Sequence, residues 1–204
     1  MNTIPSMTAA TERKSAILSA ALAVFAEKGI EAATIDDIRQ RSQASVGSIY
    51  HHFGTKEGIA AALFMQGLDD YWAQLIERTA QAEDAERAIH AMIATHLEWV
   101  TANPELARFL FSRRQAVAPA HEQDVRELTA GHFKTLLDLL KPWFKQGILR
   151  RLPHELYAPL LLGPAQELAR HWLSGRVKLD PRSAIDELAG AAWRSLAAEP
   201  SRSW

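Results

Sequence analysis

Apolar residues recur at three- and four-residue intervals from one end of the chain to the other, and no convincing period-two alternation interrupts them. Thr11–Lys28 places Ile17, Ala21, Val24 and Phe25 on one helical face, and Gly29 follows as a C-terminal stop. Thr34 stands three residues before Asp37 at the head of IDDIRQRS, a capping-box pattern with Asp where Glu is usual. A short second helix is therefore predicted, ending near Ser42–Ala44. Ser45 can cap a third, from Val46 to His52 or Phe53. Gly54 breaks it, and Thr55 caps a longer fourth helix carrying Ile59, Leu63, Phe64, Leu68, Tyr71, Trp72 and Leu75 to about Ala82.

The same period continues. Ala85–Ala102 carries Ile89, Met92, Ile93, His96, Leu97 and Val100, stopped by Asn103-Pro104. A short apolar helix at Glu105–Arg113 and the loop QAVAPA lead into His121–Gln146, whose stripe runs from Val125 through His132 and Phe133 to Phe144; Gly147 ends it. Pro153 opens a helix to Ser174, with a kink or break predicted at Gly163-Pro164. Asp180-Pro181 opens the last, to about Ala198. The pattern predicts an all-α fold: a compact three-helix unit over 11–54, a larger helical domain over 55–198, and tails at 1–10 and 199–204.

Composition narrows the classes. With no cysteine in 204 residues, disulfides and cysteine-based zinc sites are excluded, and a reducing cytoplasm is the natural setting. The first ten residues do not read as a signal peptide, no window approaches the ~18 apolar residues of a membrane span, and no membrane partner is expected. Net charge is −1: residues 11–56 hold six basic and five acidic side chains, the rest 17 and 19. Any contact with nucleic acid must therefore come from local placement of donors.

Metal chemistry finds little support. Adjacent His51-His52 point about 100° apart on a helix. HELYA at His154 lacks the second histidine of a zinc-protease motif, and His90 and His96 are wrongly spaced for one face. No Gly-rich phosphate loop or nucleophile elbow is present, and the carboxylate pairs Asp69-Asp70 and Glu83-Asp84 read as solvated. Neither an enzyme nor a cofactor is expected.

DNA reading fits better. Two short helices joined by a tight turn and braced by a longer first helix have helix-turn-helix form, the second helix being offered to a major groove. Its front end, SVGS, is small, and the Ser45 and Ser48 hydroxyls can reach base edges. Gly47 costs about 1 kcal/mol against Ala in a helix, and close backbone approach to DNA explains its presence. Tyr50, His51 and His52 offer donors at phosphate height, and Lys56 sits in the first turn of the next helix, where an anion is favoured. Phe53 reads as core, while Tyr50 is balanced between core and surface.

The stretch TERKSAILSAALAVFAEKGIEAATIDDIRQRSQASVGSIYHHFGTKEGIAAALF, Thr11 to Phe64, resembles the DNA-binding domain of TetR-type transcriptional regulators. FAEKG, ATIDDIRQRS and above all VGSIYHHFGTKEGI carry the resemblance. Gln43-Ala44 stands where a Gly-Val pair is common in the turn, and Gly58 replaces a frequent acidic residue. The remaining two-thirds is similar only in helical layout.

The resemblance implies a homodimer that binds a double-stranded, palindromic operator and releases it when a small molecule enters the larger domain. It implies that Ser45, Val46, Gly47, Ser48 and His51 face bases, while Thr34, Tyr50, His52 and Lys56 hold phosphates. It places the dimer interface on the last two helices, with Leu161, Leu168, Trp172, Leu188 and Trp193 as candidates, unless the tryptophans are core. His96 and His132 interrupt apolar stripes around the implied ligand pocket; each alone reads as a hydrogen-bonded core residue. Together with Phe64, Tyr71, Met92, Trp99, Phe109, Phe133 and Gln166 they suggest a mostly apolar cavity for an aromatic or lipophilic effector. The alternative is a helical small-molecule-binding or enzymatic protein whose N-terminal unit no longer binds DNA.

Overall fold

The computed structural model describes residues 9–113 and 121–198, which are helical almost throughout. The elements are α1 (Ala9–Ala32), α2 (Ile35–Ser42), α3 (Val46–Phe53), α4 (Lys56–Ala80), α5 (Ala85–Ala102), α6 (Pro104–Arg113), α7 (Glu122–Lys145), α8 (His154–Leu173) and α9 (Ile185–Leu196). The all-α expectation holds. Most of the expected tails, and the loop QAVAPA, lie outside the described residues.

Local signals act where they stand. Gly29 (φ 77°, ψ 160°) interrupts α1, and one further helical turn follows to Ala32. Asp180 caps a short 3-10 helix, Pro181–Ala184, before α9, so the last α-helix starts later than Asp180-Pro181 implied. Of the kink or break expected at Gly163-Pro164, the break does not occur: α8 is one element through Pro159 and Pro164. Each proline removes one N–H from the ladder, but Leu161, Ala165, Ala169 and Leu173 are buried along the same helix, and packing outweighs the local loss. Among the described residues, extended pairing is confined to an antiparallel bridge between Leu149 and Ala197. There Arg150 N–H donates to the Leu196 carbonyl at 2.9 Å and Ala198 N–H to that of Ile148 at 2.8 Å.

The chain divides into two compact units, Met1–Gly67 with Phe109–Val125 and Leu68–Arg108 with Arg126–Trp204. The division falls inside α4 rather than at Thr55, because Ile59, Leu63 and Phe64 belong to the buried interior of the first unit. There Ile17, Ala21 and Phe25 of α1, Ile38 of α2 and Ile49 of α3 are also buried. Each large aliphatic side chain so removed from water contributes about 1.5–3 kcal/mol. In the second unit, α8 and α9 pack on α5 and on each other. α5 is accordingly buried on nearly every side from Met92 to Val100.

Candidate functional site

The helix-turn-helix is built from caps. Thr34 Oγ1 accepts from Asp37 N–H at 3.1 Å, and Thr34 N–H donates back to Asp37 Oδ2 at 3.0 Å, the reciprocal box read from the sequence. Lys28 Nζ meets Asp37 Oδ1 at 2.6 Å. That ammonium, with the Thr34 donors behind it, holds the Asp37 carboxyl down at about 2. Gln43 turns the chain toward α3 in the left-handed conformation (φ 56°, ψ 17°), so it performs the glycine's task despite its side chain. Ser45 Oγ accepts from Ser48 N–H at 3.1 Å and starts α3.

The end of α3 is as closely specified. Gly54 (φ 71°) donates its N–H to the Tyr50 carbonyl at 2.9 Å, and Thr55 Oγ1 caps α4 through Gly58 N–H at 3.0 Å. A Cβ on Gly58 would lie 2.1 Å from the Phe53 carbonyl oxygen, so only glycine lets α4 start this close to α3.

α3 is anchored by Ile49, 1 % exposed, and turns its opposite side to solvent: Val46 is 44 % and Tyr50 52 % exposed. Ser45, Gly47 and His51 are exposed with them, while Ser48, His52 and Phe53 are half-buried. Tyr50 is thus a surface residue. His51 and His52 meet edge to face at 5.4 Å. A Cβ on Gly47 would touch nothing within 4 Å, so nothing inside the described protein requires glycine there.

Two of the anticipated phosphate contacts are otherwise engaged. The Thr34 hydroxyl also donates to Asp37 Oδ2 at 2.8 Å. Lys56 Nζ donates to the carbonyls of Glu31 (2.9 Å) and Ala33 (2.8 Å), closing the end of α1. Sequence reasoning missed that second role, because backbone acceptors leave no pattern in side chains.

The nine pocket candidates are divided between the two units. Phe64 and Phe109 lie in the first unit, ring centroids 6.5 Å apart, with Phe109 stacked on Phe25 at 6.1 Å. In the second unit, Tyr71 contacts the rings of His96 (5.8 Å) and Trp99 (5.3 Å). Tyr71 Oη and His96 Nδ1 share a 3.0 Å hydrogen bond. Trp72 meets Tyr71 at 5.9 Å and stacks on His132, also at 5.9 Å. Met92 is buried, and Phe133 and Gln166 are half-buried.

Three members of this cluster were not anticipated: Trp72, and Asp69 and Asp70, which are solvent-exposed as expected yet also hydrogen-bond to the cluster. Asp69 Oδ1 lies 2.9 Å from His132 Nε2, and Asp70 Oδ2 accepts from Trp99 Nε1 at 2.9 Å. Their place just before Tyr71-Trp72 was the available signal. Burial pushes the His96 imidazole down to about 4 and the Tyr71 phenol up, so both are neutral near pH 7. Trp72 Nε1 is buried without a hydrogen-bond partner among the described residues.

A cavity of about 440 Å³ opens elsewhere in the second unit, lined by Glu98, Thr101, Ala102, Trp172, Lys178, Asp180 and Arg182, none of them a pocket candidate. Of the dimer candidates, Leu161 lies in the protomer's own core, which removes it from an interface; Leu168, Trp172, Leu188 and Trp193 are half-buried. Among the described residues no group of three or more metal-ligating side chains converges, and no helix is long and apolar enough to cross a membrane.

Residues 17–63 match the family model for bacterial regulatory proteins of the tetR family. The chain is 23% identical over 189 residues to the transcriptional activator FasR of Mycolicibacterium smegmatis, covering 93% of this chain and 85% of that protein. It is 29% identical over 134 residues to the transcriptional repressor KstR2 of Rhodococcus jostii, covering 66% and 60%. The regulator FadR of Bacillus subtilis, solved in complex with stearoyl-CoA, shares the fold with a TM-score of 0.77 at 20% identity, over 87% of this chain and 96% of that one. A capped helix-turn-helix within the matched residues, followed by a helical second unit with the fold of such regulators, leads to one assignment: residues 17–63 form the DNA-binding domain of bacterial regulatory proteins of the tetR family.

Proposed function

We propose that this regulator is a ligand-responsive repressor that binds a palindromic operator as a homodimer and leaves it when a small, mostly apolar effector enters the second unit. The observation that carries the reading is the outer side of α3. Val46, Gly47, Tyr50 and His51 lie exposed together on a helix whose other side holds Ile49 in the core. Small residues at its start admit close approach to base edges, which His51 also faces, while Tyr50 and His52 supply donors toward the backbone. Two-fold symmetry then requires half-sites about 34 Å apart, or a multiple of that.

For the effector, Tyr71, Trp72, His96, Trp99 and His132 offer aromatic surface with few polar handles. The stearoyl-CoA bound to a protein of the same fold is in keeping with a lipophilic effector. KstR2 supports the repressor sense and FasR the opposite one; operator position relative to the promoter decides between them. Leu168, Trp172, Leu188 and Trp193 on α8 and α9 are the remaining interface candidates. α4 continues from one unit into the other and is the element through which effector binding reaches α3, by favouring a dimer with mis-spaced recognition helices.

The test is a fluorescence-anisotropy titration of the full chain with its gene's own upstream DNA, at low and high salt. Salt-sensitive, sequence-selective binding with two protomers per site is expected. Equal affinity for scrambled DNA would leave the α3 surface without this function.

A further inference from the structure

We infer that the 440 Å³ cavity at the C-terminal ends of α5 and α8 is a second small-molecule site, separate from the aromatic cluster, and that it takes a planar aromatic monoanion such as an aryl carboxylate. Its volume lies within the roughly 300–1,000 Å³ usual for ligand pockets. Thr101 and Ala102 come from α5, and Trp172, half-buried, offers an indole surface against which a flat ring can stack.

Charge decides the rest. Glu98 is paired with Arg78. Asp180 is gripped by Arg182, whose Nε and Nη2 reach its two oxygens at 3.0 and 2.6 Å while the Arg182 backbone N–H adds a third contact at 3.0 Å. That guanidinium keeps the Asp180 carboxyl below its ordinary range, so the pair stays ionised and self-neutralising. Lys178, exposed, is the lining charge for which no ion pair or hydrogen bond occurs among the described residues. The site therefore presents one uncompensated positive charge beside an aromatic wall. A ligand carrying one carboxylate on a flat ring meets both, whereas a cation is repelled by the uncompensated Lys178.

The inference is independent of DNA binding, so its test uses the full-length protein without DNA. Isothermal titration with β-naphthoate and its uncharged analogue β-naphthamide reads the charge requirement. Naphthoate is expected to bind about tenfold more tightly than naphthamide, the contribution of one charge-assisted hydrogen bond. Lys178→Met should abolish that difference, Lys178→Arg should restore it, and Trp172→Ala should weaken both ligands. Naphthoate binding that is the same in Lys178→Met and Trp172→Ala as in the parent protein overturns the inference. So does the absence of naphthoate binding to the parent protein at millimolar concentration. Neither failure bears on operator recognition, which is read by the anisotropy titration alone.

Discussion

Gly47 separates stability from function at a single position. Its added Cβ would meet no atom within 4 Å, so the helix itself would welcome alanine. Gly47→Ala should raise the stability of the free protein by up to about 1 kcal/mol, the usual helix-propensity difference. The same methyl group would stand between α3 and a base edge, so operator affinity should fall; chemical denaturation and anisotropy on one sample check both signs. If affinity is unchanged, Gly47 does not approach DNA. His96 offers a different measurement. Its imidazole is depressed to about 4 by burial, against an ordinary 6.5, while its partner Tyr71 is pushed up and stays silent in this range. Between about pH 6.5 and 4 the unfolded chain therefore binds a proton that the folded protein refuses. Stability should fall on acidification through that window, by on the order of 3 kcal/mol, and level off below it. His96→Gln, which keeps a polar group beside Tyr71 but does not titrate, should remove that part of the pH dependence in denaturant melts at pH 7 and 4.5. An identical pH dependence in the two proteins would show that His96 is not held neutral.

Elements whose ends are marked by side-chain chemistry were legible in advance, and those marked by backbone contacts were not. The Thr34–Asp37 box, the Ser45 cap and the Gly54 stop all appear at their expected positions, because each depends on residue types at fixed spacing. Gln43 was visible as a departure, yet only the backbone shows that it adopts the left-handed turn unaided. Pro164 does not break α8, because a rule about one lost N–H does not know how firmly the rest of the helix is packed. Gly58 looked like an incidental replacement on α4, whereas it is the point at which the Phe53 carbonyl crosses the new helix. An alanine there collides with backbone rather than with a side chain that could swing aside. Gly58→Ala should therefore cost about 1–3 kcal/mol, the range for overpacking a well-packed site. Because the clash pushes on the last residue of α3, operator affinity should drop with it. A thermal melt and a binding isotherm check the pair; full stability in the variant would mean that α3 and α4 separate freely.

For the whole molecule, a net charge of −1 and the ion pairing of the first unit lead to the same expectation about DNA. The basic residues of Thr11–Lys56 are Arg13, Lys14, Lys28, Arg39, Arg41 and Lys56. Lys28 is paired with Asp37, Arg39 with Asp36 at 2.7 Å, and Arg41 with Glu27 at 2.5 Å. Lys56 is held by two carbonyls. The charge count was readable in the sequence; the pairing was not, since Arg41 and Glu27 lie fourteen residues apart and meet only after α1 and α2 pack. Few cations remain for phosphates, so hydroxyls, imidazoles and backbone N–H groups must supply most of those contacts, and they release few counterions. Each neutralised phosphate contributes about −0.9 to the slope of log affinity against log salt. With fewer than about four such contacts, affinity should fall less than about a hundredfold between roughly 50 and 200 mM salt, against about 10³–10⁵ for a protein making six to ten. Anisotropy at several salt concentrations gives the slope directly. A steep slope would require Lys28, Arg39 and Arg41 to leave their carboxylate partners on the operator, and neutralising Glu27 by Glu27→Gln would then raise affinity by freeing Arg41. A shallow slope, unchanged in that variant, is the signature of recognition by shape and neutral donors.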